Sequence, residues 1–279
     1  NIFPGGTLGS DQANVSAIQG GSLEMASMNS GIFASQVKEF GVFDFPFMFA
    51  TTKEADAVVD GAFGKKMHAK LEEKGLIGLA YYELGFRHIT NGKRAINKVS
   101  DLEGLKLRVI PNPINVDWVK ALGANPTPLP FPELYAALEQ GAVDGQENPI
   151  PTINSAKLYE VQKHMVLTAH QYNPQSVVIS KKFWETLSAA EKKVVADAAT
   201  ESAKFQRDTA RNLEASLLAN LKKNGMQVTQ LSESEMSILR DKMRPVTAKH
   251  GVTVGQDLVK ELQAEIDKAR SAAPAKKSK

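Results

Sequence analysis

Residues 102–113 read LEGLKLRVIPNP. In an extended segment, alternation sets Leu105, Leu107 and Val109 on one face and Lys106, Arg108 and Ile110 on the other. Pro111 and Pro113 then end the strand, because neither can donate to a sheet ladder. An arginine at the close of an apolar strand has two readings. It is solvated or held in a structural salt bridge, or its planar fork of N–H donors awaits a carboxylate that the chain does not supply.

Other chemistry lacks a starting point. His68, His88, His164, His170 and His250 share no His-Glu-x-x-His or other close ligand spacing, so no metal site is expected. There is no Gly-x-Ser-x-Gly elbow, phosphate loop or Gly-x-Gly-x-x-Gly fingerprint. The absence of cysteine excludes disulfides, thiolate-bound zinc and thiol catalysis. Glu72 and Glu73 fall on the solvated face of a helix, while capping or turn hydrogen bonds account for Asp144 and Glu147. Neither a catalytic residue nor a cofactor is expected.

The elements that must carry Arg108 are those of an α/β protein. At 279 residues the chain can bury a full core in one large or two medium domains. Its front half alternates short strands and helices, which favours a mainly parallel sheet. Ser10 or Asp11 opens the short helix SDQANVSAIQGG, and SLEMASM follows as a strand. KEADAVVDGAFGKKMHAKLEEKG reads as one helix ending at Gly75, and LIGLAYYELGF as a buried strand. PINVDWVKALG is helical, ANPTPLPFP is a proline-punctuated link, and the helix ELYAALEQG runs into AVDGQENP. AIQGGSLEM (17–25) and ALEQGAVDG (137–145) repeat one pattern: a helix, a glycine cap, then a strand. The repeat suggests two lobes of similar build, each bringing a strand end to a shared crevice.

The longest helical signal is 188–224, with Ser188 and Glu191 as a capping box and Gly225 as its stop. Val194, Ala198, Phe205, Leu213, Leu217 and Leu221 form its apolar stripe. A rod of roughly 50 Å is expected to cross both lobes. GQDLVKELQAEIDKARSA is the last helix. The net charge of +3 is matched by Lys276, Lys277 and Lys279 in the tail SAAPAKKSK, which is expected to be disordered. The balanced body argues against nucleic acid as a partner. No run approaches the roughly 20 apolar residues of a membrane span; GVFDFPFMFA is broken by Asp44 and Pro46. No signal peptide opens the chain, and NIFPGGTLGS reads as a strand end entering a glycine-rich turn.

GFRHITNGKRAINKVSDLEGLKLRVIPNP, followed by KALGANPTPLPFPELYAALEQGAVDGQENP, closely resembles the substrate-binding proteins of tripartite ATP-independent periplasmic (TRAP) transporters, the DctP-like family. The likeness extends through FPGGTLGSDQ, FGVFDFPFMF and HQYNPQSVVISKKFWETLS. It implies a two-lobed periplasmic-binding-protein-like fold with a ligand cleft between the lobes. Lobe I is expected to be 1–85 plus 174–212 and lobe II 86–173 plus 213–270, with 271–279 as the tail. In the family, the arginine matching Arg108 forms a bidentate salt bridge with the substrate carboxylate. Arg87 and Asn148 match residues that support the same group, and Phe131 matches one that lines the pocket. The family's first strand and helix, which should precede NIFPGG, are expected but are not among these residues.

On that resemblance, Arg87 and Arg108 repel each other until an anion arrives, and Asn148 adds amide donors without charge. Glu83 is expected to repel a second carboxylate and to accept from hydroxyls. Asn29, Ser30 and Asn173 are expected to add neutral hydroxyl-reading groups. Tyr81, Tyr82, Phe43 and Phe45 are pocket or core. The expected solute is a hydroxylated monocarboxylate, first a sugar acid such as glucuronate or galacturonate, and second a four-carbon dicarboxylate. The resemblance further implies hinge closure near Gly85 and Asn173, docking on the membrane permease subunits, transport driven by an ion gradient, and a periplasmic, exported monomer. A lyase or isomerase would need a base beside the arginines, and no residue offers one. A ligand-sensing domain of a signalling system would have the same lobes.

Overall fold

A computed structural model describes residues 1–272. Helix α1 (Asp11–Gly20) is capped by Ser10, whose Oγ accepts from the Ala13 amide at 3.2 Å. Strand β1 (Met25–Asn29) leads into two 3-10 segments, Ser30–Ser35 and Lys38–Asp44. Next come α2 (Thr52–Asp60), α3 (Ala62–Ala69) and the long strand β2 (Leu76–Asn91). Then follow β3 (Lys106–Val109), α4 (Pro113–Ala121), β4 (Asn125–Pro128), α5 (Leu134–Glu139), β5 (Gly145–Pro149) and α6 (Ile150–Ser155). A second long strand, β6 (His164–Ser180), precedes α7 (Lys181–Thr186), α8 (Ala189–Lys223) and β7 (Gln227–Gln230). Helices α9 (Glu233–Val254) and α10 (Gln256–Ala272) end the chain described.

The sheet runs β1-β6-β2-β5-β3-β4, with β7 also on β6. β2 and β6 pair antiparallel along nearly their whole length, and each serves two half-sheets. One half has β1 beside the later part of β6; the other has β5, β3 and β4 beyond the later part of β2. The two-lobed α/β architecture is therefore present, with Gly85 opposite Asn173 at a bulge midway along the shared pair. The sheet is mixed rather than mainly parallel. Among the described residues only β3–β4, β3–β5 and β6–β7 are parallel pairs, because the two crossing strands return on each other.

Four local expectations change. The helix foreseen up to Gly75 breaks at Gly61 into α2 and α3. The proline link holds β4, a parallel edge strand, where the missing N–H groups of Pro126 and Pro128 are tolerated on the free side. The α8 stripe is misplaced over its first part, where Val194, Phe205 and Leu213 are exposed and Ala199, Ala203 and Arg207 are buried instead, while Leu217 and Leu221 pack inward as expected. Ser271 and Ala272, expected in the tail, belong to α10, whereas 273–279 lie outside the described residues. The Ser188–Glu191 capping box holds, and α8 runs from Tyr82, bonded to Ser202, to Asn154, bonded to Asn220. That helix braces both half-sheets. The repeat also holds: α1 and α5 each stop at a left-handed glycine, Gly21 (φ 84°) and Gly141 (φ 70°), and feed β1 and β5.

Candidate functional site

Residues at the ends of β1, β3 and β5 surround a cavity of about 240 Å³ between the half-sheets. Arg108 enters it from β3, and the side chain is 1% exposed. Its Nε donates to the Leu129 carbonyl at 2.8 Å, and among the described residues no carboxylate forms a salt bridge with it. Burial pushes the guanidinium down to about 10; Glu147 and Asp11 hold it up while Arg87 pushes it further down. It is charged at neutral pH. Burying such a charge is unfavourable until an anion meets it.

Asn29 at the end of β1, Asn148 in β5 and Phe131 share that cavity with Arg108. Asn29 Oδ1 accepts from the Gly31 amide at 3.0 Å, and its Nδ2 is buried without a protein partner. Asn148 Nδ2 donates to Gln146 Oε1 at 2.6 Å, which fixes the amide plane. Asp11, the first residue of α1, also lines the cavity; burial raises its carboxyl, and Arg108 draws it back. Ser27, Gln175, Thr152 and Ser155 add neutral polar groups. Sequence reasoning missed these five. Asp11 read only as a helix start, and the other four become neighbours only through the sheet.

Arg87 lies behind this wall and does not line it. It is fully buried against Glu147: Nε donates to Oε2, Nη2 to Oε1 at 2.8 Å, and Nη2 also to the Asn148 Oδ1 at 3.2 Å. Burial alone would raise Glu147, but Arg87 and a His170 hydrogen bond hold it at about 2. Arg87 does push against Arg108, but the expectation of two bare arginines is corrected: Glu147 already pairs with Arg87. Glu147 is also not the turn residue expected, since it sits in β5 inside a buried ion pair.

Three further expectations are corrected. Glu83 is directed away from the cavity onto α8, where Arg211 Nε donates to its carboxylate at 2.7 Å and Tyr172 Oη at 3.2 Å. Ser30 Oγ is buried 2.8 Å from Ser176 Oγ, which also meets His68 Nε2 at 3.0 Å. Asn173 Nδ2 donates to the Phe43 carbonyl and to Asp44 Oδ1, each at 2.9 Å. Phe43, Phe45 and Tyr81 are core. Since Glu83 serves α8, Glu83→Gln is expected to leave solute affinity within about twofold while lowering stability by about 1–2 kcal/mol; calorimetric titration and thermal melts of one preparation check both halves. A larger groove, about 670 Å³ between α3 and α8, is lined by charges that pair with one another, Arg207 with Asp60 and Arg211 with Asp56.

Among the described residues no group of three or more His, Asp or Glu could hold a metal ion, and no helix is long and apolar enough to cross a membrane. The cavity brings together one buried cation, two amides, an aromatic side chain and an acid at the start of α1.

Residues 1–252 match the profile of the bacterial extracellular solute-binding proteins, family 7 (DctP). The 2,3-diketo-L-gulonate-binding periplasmic protein YiaO of Escherichia coli K12 is 38% identical over 261 residues, 93% of this chain and 79% of that protein. The sugar-acid-binding protein DctPAm of Advenella mimigardefordensis, solved with galactonate, is 42% identical with a TM-score of 0.93, covering 95% of this chain and 85% of that one. A TRAP periplasmic solute-binding protein of Bradyrhizobium sp. btai1, solved with galacturonate, is 34% identical with a TM-score of 0.89, covering 95% of this chain and 88% of that one. The chain thus belongs to family 7 of the bacterial extracellular solute-binding proteins, the DctP family, whose members capture small acids for TRAP transporters rather than transform them.

Proposed function

We propose that this protein captures a hydroxylated monocarboxylate, first a uronate such as galacturonate or glucuronate, in the cavity between the half-sheets. The supporting observation is Arg108, a buried guanidinium that meets the cavity with no carboxylate of the described residues bound to it. The solute carboxylate takes its free Nη donors in a bidentate pair, with Asn148 beside it and Arg87 fixing the Asn148 amide from behind. Phe131 covers the apolar face of the solute. Asn29 and Asp11 take hydroxyls, so Asp11 assumes the acceptor role first expected of Glu83. A four-carbon dicarboxylate would need a second free cation, and Glu147 occupies Arg87. The relatives solved with galactonate and galacturonate bind acids of the proposed class.

Closure bends the shared β2–β6 pair near Gly85 and Asn173, between lobe I (1–85 and 174–212) and lobe II (86–173 and 213–270). The closed monomer then delivers its solute to the permease subunits from the periplasm, the compartment named for its relatives. A thermal-shift panel of organic acids tests the solute class. A uronate at 100 times its Kd should stabilise the wild type by about 2.7 kcal/mol and leave Arg108→Ala unmoved. A shift by succinate and by no sugar acid would reverse the proposed class.

A further inference from the structure

We propose that Asp44 is a positioning residue for solute capture, its buried carboxylate tying the end of β1, the helix cap behind the Arg108 strand and the β6 crossover into one node. The node rests on the reading of the cavity as the solute site. Asp44 ends the second 3-10 segment and is fully buried. Asn112 Nδ2 donates to its Oδ2 at 2.7 Å, and Asn173 Nδ2 to its Oδ1 at 2.9 Å. On the β1 side it presses on Gly31, where a Cβ would fall 1.9 Å from Asp44 Oδ2. Only glycine permits that approach.

Each anchor holds a different wall of the cavity. Gly31 stands two residues after Asn29, and its amide is the one that Asn29 Oδ1 accepts from. Asn112 stands four residues after Arg108 and caps α4, Oδ1 accepting from the Ile114 amide at 2.9 Å. Asn173 faces Gly85 where the long strands cross. Gln171 Nε2 binds the Asp44 carbonyl and, at 3.1 Å, Asn115 Oδ1. Five of the nine buried side-chain polar atoms without a close hydrogen-bond partner, among the described residues, belong to Asn29, Arg87, Asn115, Gln171 and Asn173. Polar atoms left unpaired in one place mark a region not optimised for stability alone.

The donors explain why a carboxylate is required. Asn112 cannot turn its oxygen toward residue 44 without losing the α4 cap, because Oδ1 is already committed to Ile114. Asparagine at 44 would offer one oxygen and one NH2 to two N–H donors, so one contact becomes donor against donor. The reciprocal swap repairs this. With Asp44→Asn and Asn112→Asp together, the new carboxylate caps Ile114 with one oxygen and accepts from residue 44 with the other, and residue 44 still accepts from Asn173. Asp and Asn cap helices about equally well.

The test measures galacturonate affinity and dissociation rate for the wild type, Asp44→Asn, Asn112→Asp and the double variant. Asp44→Asn should weaken binding on the order of tenfold, through faster dissociation. Asn112→Asp, which sets two carboxylates against each other, should do at least as much damage, and the double variant should return to within about threefold of wild type. A double variant no better than folded Asp44→Asn, or Asp44→Asn with unchanged affinity, overturns the node. Should either single variant fail to fold, the double variant decides alone: it must fold and bind. If the wild type ignores galacturonate, the solute reading fails separately. The node is then read without solute from hydrogen exchange at the Gly31 and Ile114 amides, expected at least about tenfold faster in Asp44→Asn and restored in the swap.

Discussion

Arg108→Met is expected to weaken solute capture on the order of a few-hundredfold and, at the same time, to leave the ligand-free protein at least as stable as wild type. The two effects have one origin. A guanidinium that is 1% exposed and, among the described residues, bonded through Nε alone carries its charge at a cost, since burial pushes it down to about 10. That displacement corresponds to about 3 kcal/mol of unfavourable burial. Methionine keeps most of the stem packing and removes the charge. Solute affinity should fall by about 3–4 kcal/mol, a few-hundredfold, because a buried hydrogen-bonded charge pair loses one member. Arg108→Lys should recover little, since a point charge cannot make the bidentate contact. Titration calorimetry with the best acid of the panel, beside melts of the ligand-free variants, reads both effects. Retained binding in Arg108→Met removes the carboxylate assignment, and a melt several degrees below wild type removes the claim that the charge is unfavourable without solute.

The strand that carries Arg108 was legible because its signals are local: alternation along LKLRV and the prolines after it. Ser10, the Ser188–Glu191 box and the Gly21 and Gly141 stops are local too, and each stands where the chain indicates. What escaped is non-local. Nothing near Glu83 announces Arg211, 128 residues later, and nothing near Arg87 announces that Glu147, 60 residues on, will take its charge. β4 escaped because prolines argue against a strand unless one edge is free, and edge position is a property of the sheet. The α8 stripe was drawn through the larger apolar residues. The helix instead lays alanines and Arg207 on β2, with Arg207 Nη2 donating to the Tyr81 carbonyl at 2.6 Å. Small residues let the backbones approach, so a helix can bury its less hydrophobic side.

Glu147→Gln is expected to be the most destabilising conservative change at the site, at about 3 kcal/mol or more, because it leaves Arg87 buried without a counter-charge. In a chain this size that is a fall in Tm of about 6–10 °C. The pH dependence has a definite sign. Glu147 stands at about 2 in the folded protein against 4.5 ordinarily, so its contribution is fully present above 4.5 and is lost as pH falls from 4.5 toward 2. Buried His170, held below its ordinary 6.5 by burial, adds to acid unfolding because it must take a proton when the chain opens. Wild type should therefore lose stability steeply between pH 4.5 and 2, and Glu147→Gln, already without that carboxylate, should fall less over that interval. The pair Arg87→Met with Glu147→Leu separates charge balance from shape. Two apolar side chains of similar volume should restore stability to within about 1 kcal/mol of wild type. Affinity should still be about tenfold weaker, because Asn148 Oδ1 loses the guanidinium that fixes its amide at the cavity wall. A double variant as unstable as Glu147→Gln would mean that packing, not the unpaired charge, sets the loss. A double variant that binds like wild type would mean that Arg87 serves the fold and not the solute, leaving Arg108 as the one cation behind capture.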